Sequence, residues 1–145
     1  YNVLYVNSNI KPRYKTCISI ILNIDKNIIS VYQDGFLIGD IKNYGKIYSY
    51  AKEKYFYIGV GDPNRKYNNN YFKGIFQSLI IYDDSLPVES IKDISKGINI
   101  HKHEDNLKLY YNTNIIREYK LVDLSGYNND GEIVNCEISK QDRIN

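Results

Sequence analysis

A chain of 145 residues has room for one domain and is short for two ordinary ones. Its 43% hydrophobic and 25% charged residues describe a globular composition rather than a disordered one. The net charge of +2, with Lys and Arg scattered along the chain, offers no basic block for nucleic acid, and no apolar run approaches the roughly 20 residues of a membrane span.

Ile and Tyr dominate the apolar set, with 16 Tyr and neither Trp nor Met. β-Branched and aromatic side chains suit a pleated, half-buried surface, so the expected class is all-β. The chain opens in a β-like segment, Tyr1 to Val6, with no N-terminal Met and no signal-peptide pattern, and reads as a piece of a longer precursor. Thr16 to Asn23 and Ile28 to Gln33 are the next strands. Asp34-Gly35 between apolar flanks is a hairpin signature, because Gly accepts the positive φ that the turn needs, and Phe36 to Ile41 returns as its partner. Tyr55 to Val60 follows. A polar loop then runs from Asp62 to Asn70, and its YNNNY tract (67–71) is too short to be more than a loop tip.

Phe72 to Tyr82 is expected to be the longest strand, with Gly74 as a bulge or a close backbone approach. One helix is expected from Ser85 to Lys96. Ser85 would cap it, Pro87 suits its first turn, and Val88, Ile91 and Ile94 share a face. Lys96-Gly97 closes it with a cation and then a glycine. Lys102 to Asp105 is a charged connector. Leu107 to Tyr111 and Ile133 to Ile138 are further strands, joined through Asp123-Leu124-Ser125-Gly126 and an Asn-rich turn at 128–131.

These patterns resemble a laminin G-like module of the concanavalin A-like sandwich superfamily. The hairpin ISVYQDGFLIGDI, the strand YFYIGVGD, the segment YFKGIFQSLIIYDD and the helix opening SLPVESIKDISKG stand in that family's order over residues 28–97. LVDLSGYNNDGEIV (121–134) resembles the opening of such a module, where "D-x-S-G-x-x-x-x-G" follows the first strand, yet here it comes after the helix. The resemblance implies an antiparallel two-sheet jelly-roll sandwich with one short helix. Residues 1–106 would form its main part, and residues 107–145 would complete the same sandwich or open a following module. It also implies that the strand Leu107 to Tyr111 pairs with Ile75 to Tyr82, since first and last strands of such a module are sheet neighbours.

Catalysis is not expected. Glycoside hydrolysis needs two carboxyl groups roughly 5 to 10 Å apart. Glu132 and Glu137 are five residues apart and Asp83-Asp84 adjacent, so on an extended strand each pair points to opposite faces. His101 and His103 sit in the charged connector, with no set of nucleophile, base and orienting group around them. Gly59-x-Gly61 lacks the following helix that a phosphate site requires.

Calcium is the one candidate cofactor, since many laminin G-like modules hold it at a rim. Asp62 and Asn64 are its first candidate ligands, followed by Asp34 and Asp123, although turn formation by itself accounts for Asp and Asn beside Pro and Gly. Glycan binding is expected at the loop carrying Asp62, Asn64, Arg65, Tyr67 and Tyr71, where a Tyr ring can stack on a sugar and keep a polar handle. Cys17 and Cys136 lack metal-site spacing and read either as one disulfide or as two buried thiols. The expected function is a non-catalytic recognition module that binds carbohydrate or protein on the extracellular side, secreted or at a cell surface, beside other domains of its parent. A purely structural assembly module and an accessory domain of a carbohydrate-active enzyme are the alternatives.

Overall fold

The turns of this chain dictate how its strands pair, and the clearest of them is Asp34-Gly35. In the computed structural model, which describes residues 14–42, 45, 57–59 and 72–138, Asp34 and Gly35 take φ of 51° and 83°. Both central residues of the two-residue turn are thus left-handed, the geometry whose twist matches paired strands. The turn joins β2 (Ile28–Gln33) to β3 (Phe36–Lys42), with Gln33 opposite Phe36. The chain divides into two compact units, Tyr1–Phe76 and Gln77–Asn145.

In the first unit, β1 (Ile18–Asn23) pairs antiparallel with β2, giving a three-stranded sheet in the order β1-β2-β3. The Asp34 carboxylate accepts the Cys17 N–H at 2.7 Å, and the Asp34 N–H donates to the Cys17 carbonyl at 2.8 Å. One turn residue therefore clamps the start of β1 as well as reversing the chain. Val31 faces Gly39 and Tyr32 faces Leu37, so Ile38 is an extra residue, a bulge in β3. Strand alternation puts Ile18, Ile20 and Leu22 on one face with Ile29, Val31 and Ile41 across the ladder. Ile18, Ile20 and Leu22 are exposed, Ile20 at 69%. The other face is more polar, with a hydrogen bond from Ser30 to Asp40 at 2.7 Å.

The second unit holds β4 (Ser78–Tyr82), α1 (Val88–Ser95), a 3₁₀ segment at Ile100–Asn106, β5 (Leu107–Arg117), β6 (Lys120–Asp123) and β7 (Gly131–Glu132). Its sheet is antiparallel in the order β4-β5-β6-β7. The expected pairing across the helix is present: Ser78 faces Asn112 and Tyr82 faces Leu107. Leu107 is fully buried, and Leu109, Tyr110, Tyr111 and Ile91 of α1 are buried with it. The Tyr82 hydroxyl donates to the Ile100 carbonyl at 2.7 Å. Burial, and then the neighbouring Tyr110, raise the Tyr82 phenol above its ordinary pKa. The chain is thus mostly β, with two antiparallel sheets and one short α-helix among the described residues.

Several boundaries differ from expectation. The strand expected from Phe72 is extended β only from Ser78, since residues 72–77 form no ladder. The Phe72 ring folds back over Gly74, where an added Cβ would lie 2.7 Å from the ring, so Gly74 is a close approach rather than a ladder bulge. Residues 57–59 form no strand, and the Phe72 N–H donates to the Gly59 carbonyl at 2.7 Å. Tyr1 to Val6 lies outside the described residues, as do the rest of Tyr55 to Val60 and the loop from Asp62 to Asn70.

Ser85 does not cap α1. The helix begins after Pro87, whose ψ of 149° is extended, and no side chain caps it. The carboxylate of Asp84 takes the Ser85 N–H instead, at 2.6 Å. Lys96 and Gly97 end the helix as expected. The connector around Lys102 to Asp105 is not extended but turns as the 3₁₀ segment, with a kink at His103. The strand expected at Ile133 to Ile138 is absent, because the ladder stops at Glu132 and Asn135 turns to a φ of 53°.

Candidate functional site

The loop 124–130, between β6 and β7, is organised by a single carboxylate. Asp123 ends β6 and is 7% exposed. Its Oδ1 accepts the N–H of Tyr110 at 3.1 Å and of Ser125 at 2.9 Å, and its Oδ2 accepts the N–H of Asn129 at 3.0 Å. Asp130 reciprocates, taking the Asp123 N–H at 2.9 Å. The Tyr111 hydroxyl donates to the Asn129 carbonyl. Gly131 leaves room for that ring, since a Cβ there would sit 3.1 Å from the Tyr111 hydroxyl oxygen and the ring would have to give by a few tenths of an ångström. Burial alone would raise the Asp123 carboxyl, but hydrogen bonds from Ser125, Asn129 and Tyr110 outweigh it and hold the group below its ordinary pKa.

Beside this loop, Lys108 gathers three oxygens. It is the extra residue of a bulge in β5, since Ile81 faces Leu109 and Tyr82 faces Leu107, and the bulge frees it from the ladder between two buried leucines. Its Nζ lies 3.0 Å from the Asp105 carbonyl, 2.9 Å from the Tyr127 hydroxyl and 3.1 Å from Asp83 Oδ2. The bonds to Tyr127 and then Asp83 raise the ammonium pKa. The Lys108 carbonyl accepts the Ser125 hydroxyl at 3.2 Å, and the Ser125 Oγ accepts the Tyr127 N–H at 3.4 Å. Asp83 follows β4, Lys108 opens β5 and Tyr127 sits in the loop after β6, so three elements meet at one end of the sheet.

The two histidines stitch the helical segments to their surroundings. His103 Nε2 lies 2.8 Å from the Ser90 Oγ of α1, and Ser90 is buried. Among the described residues no carboxylate holds the other nitrogen of His103, so the pair lacks the orienting acid of a hydrolytic triad. His101 Nδ1 lies 3.7 Å from Glu104, an ion pair when the ring is protonated, and its ring meets Tyr110 edge-on at 5.8 Å.

Of the expected site residues, Asp62, Asn64, Arg65, Tyr67 and Tyr71 lie outside the described residues. Asp34 and Asp123 lie in different units and are engaged as turn organisers. Three N–H donors share the two Asp123 oxygens, surroundings that suit a fixed anion. No group of three or more His, Cys, Asp or Glu is placed to hold a metal among the described residues. Cys17 and Cys136 are free thiols, the first half-buried and the second exposed. No helix among the described residues is long and apolar enough to cross a membrane.

Comparison with family models, with curated proteins and with solved structures returns no match. The sequence marked Asp123, Ser125 and Gly126 as a turn but gave Lys108 and Tyr127 no role. The available signal was the single cation between two leucines of an apolar strand, a charge that has to leave the core and find partners.

Proposed function

We propose that this chain is a non-catalytic recognition module of the laminin G-like kind, which binds carbohydrate in an extracellular setting as part of a larger protein. The observation that carries the reading is the antiparallel pairing of Leu107–Arg117 with Ser78–Tyr82. It sets Leu107–Arg117, which the resemblance treats as a module's first strand, beside the strand that precedes the helix, with β6 between it and the "D-x-S-G-x-x-x-x-G" segment. The buried Asp123 then gives that motif a physical purpose, a loop held rigid at the end of a sheet where a ligand can be met. A glycan array probed with the purified chain, with calcium and with a chelator, tests the reading. Specific hits support it. A blank array, together with a stoichiometric protein complex, would replace carbohydrate with protein as the ligand.

The finer arrangement proposed is an antiparallel two-sheet jelly-roll sandwich. A structural assembly module is the second reading, and the exposure of the β1 face that carries Ile18, Ile20 and Leu22 favours it. Ile20→Asp separates the two. In a closed sandwich the charge enters the core and lowers the unfolding midpoint. In an assembly module the chain stays folded and loses its oligomeric partner, as sedimentation would show.

A further inference from the structure

The side chains gathered by Lys108 make a surface of defined chemistry. An ammonium has three protons, and here three oxygens lie within 3.1 Å of it: the Asp105 carbonyl, the Tyr127 hydroxyl and the Asp83 carboxylate. Its charge is balanced by Asp83 and its protons are occupied. Lys108 is therefore an organiser and has nothing left for an anionic ligand. What it presents is partly open: its ammonium lies 4.8 Å from the centroid of the Tyr127 ring, so a ligand would meet the ring from the side away from Lys108. Tyr127 is 54% exposed and is held at both ends, by its hydroxyl on Lys108 and by its N–H on Ser125. Asp83 keeps half of its side chain exposed and uses one oxygen on Lys108, which leaves acceptor capacity for a hydroxyl group.

We propose that Tyr127 and Asp83, fixed by Lys108, form a subsite for a neutral pyranose. The Tyr127 ring stacks against the C–H face of the sugar, and the Asp83 carboxylate accepts from its hydroxyl groups. Acidic glycans are selected against, because Lys108 is already paired and the half-exposed Asp83 carboxylate repels an anion. The ordered ring and carboxylate lose little rotamer freedom on binding, the usual gain of preorganisation. This subsite rests on the carbohydrate reading above and lies in a different part of the sequence from the loop of Asp62 to Asn70.

The test uses a glycan array followed by calorimetric titration of the best monosaccharide or disaccharide hit into wild type, Tyr127→Ala, Tyr127→Trp and Tyr119→Ala. Tyr119 is a control, an exposed tyrosine at the turn between β5 and β6. Neutral sugars are expected among the hits, with affinity about tenfold weaker in Tyr127→Ala, kept in Tyr127→Trp, unchanged in Tyr119→Ala and insensitive to salt. Should Tyr127→Ala fail to fold, Asp83→Ala is titrated instead, with a loss of severalfold expected. Neutral-sugar binding that survives these substitutions, or hits confined to sialylated and sulfated glycans, overturns the subsite and leaves the carbohydrate reading standing. A wild-type chain that binds no glycan overturns both.

Discussion

The two sheets of this protein are specified in different ways. In β1-β2-β3 the strands are consecutive in sequence, the links between them are short, and among the described residues of that unit Tyr32 is the only buried large apolar side chain. Register there is set by turn chemistry, above all the left-handed pair Asp34-Gly35 and its clamp on Cys17. In β4-β5-β6-β7 the first pairing joins strands about two dozen residues apart, and a buried cluster around Leu107, Leu109 and Tyr111 holds it. A turn can fix register without burying much surface. A long-range pairing needs buried contacts and satisfied polar groups to offset the entropy of closing the loop.

The comparison breaks most visibly at Leu107. Leu107→Ala removes a fully buried side chain and should cost about 2 to 5 kcal/mol in chemical denaturation. A cost below about 1 kcal/mol would mean that the pairing of β4 with β5 does not depend on this cluster.

Next in size is Asp123→Ala, which strands three N–H donors and should cost about 3 kcal/mol. Asp123→Asn sharpens the point through pH. The folded carboxyl titrates below its unfolded value of about 4, so its stabilisation is complete above pH 4 and fades as pH falls through the folded value. Melting temperature should therefore fall less steeply below pH 4 in the Asn variant than in wild type. Parallel curves would remove Asp123 from the acid response.

Gly35→Ala tests the other sheet. A Cβ at φ 83° should cost about 1 to 2 kcal/mol, less than either change above. If it proves the costliest of the set, turn chemistry outweighs burial and the ordering proposed here is wrong.

The smallest effect, and the one of opposite sign, is at the hairpin between β5 and β6. Glu118 and Tyr119 occupy left-handed positions, φ 50° and 61°, where neither is favoured. Tyr119→Gly should raise stability by about 0.5 to 1 kcal/mol. A loss on thermal melting would show that the exposed Tyr119 makes contacts that matter more than its backbone strain.

That hairpin also marks where the sequence falls silent. Asp34-Gly35 could be read from the chain because its two residues are the ones that tolerate positive φ. Glu118-Tyr119 could not, because nothing in the pair announces a turn and the flanking ladder imposes it. The helix was legible from Val88, Ile91 and Ile94, but not its start, where Pro87 stays extended and Ser85 is left outside. Asp123 was legible as a turn residue, and its burial was not, since that depends on Tyr110 and Asn129 arriving from elsewhere. The ion-paired Lys108 depends on three separate segments, a coincidence that no local pattern encodes.

The pairing of Tyr82 with Leu107 has a consequence for how the molecule reaches its native state. Between those residues lie α1 and the 3₁₀ segment, and the Tyr82 hydroxyl is anchored on the Ile100 carbonyl within that stretch. A helix as short as α1 is marginal in isolation, so it is expected to form together with the search that brings β5 to β4. The Asp34-Gly35 hairpin needs no such search. Refolding followed strand by strand should therefore have two clocks, with microsecond closure of the first hairpin and a later step, limited by loop closure, that assembles β4 on β5.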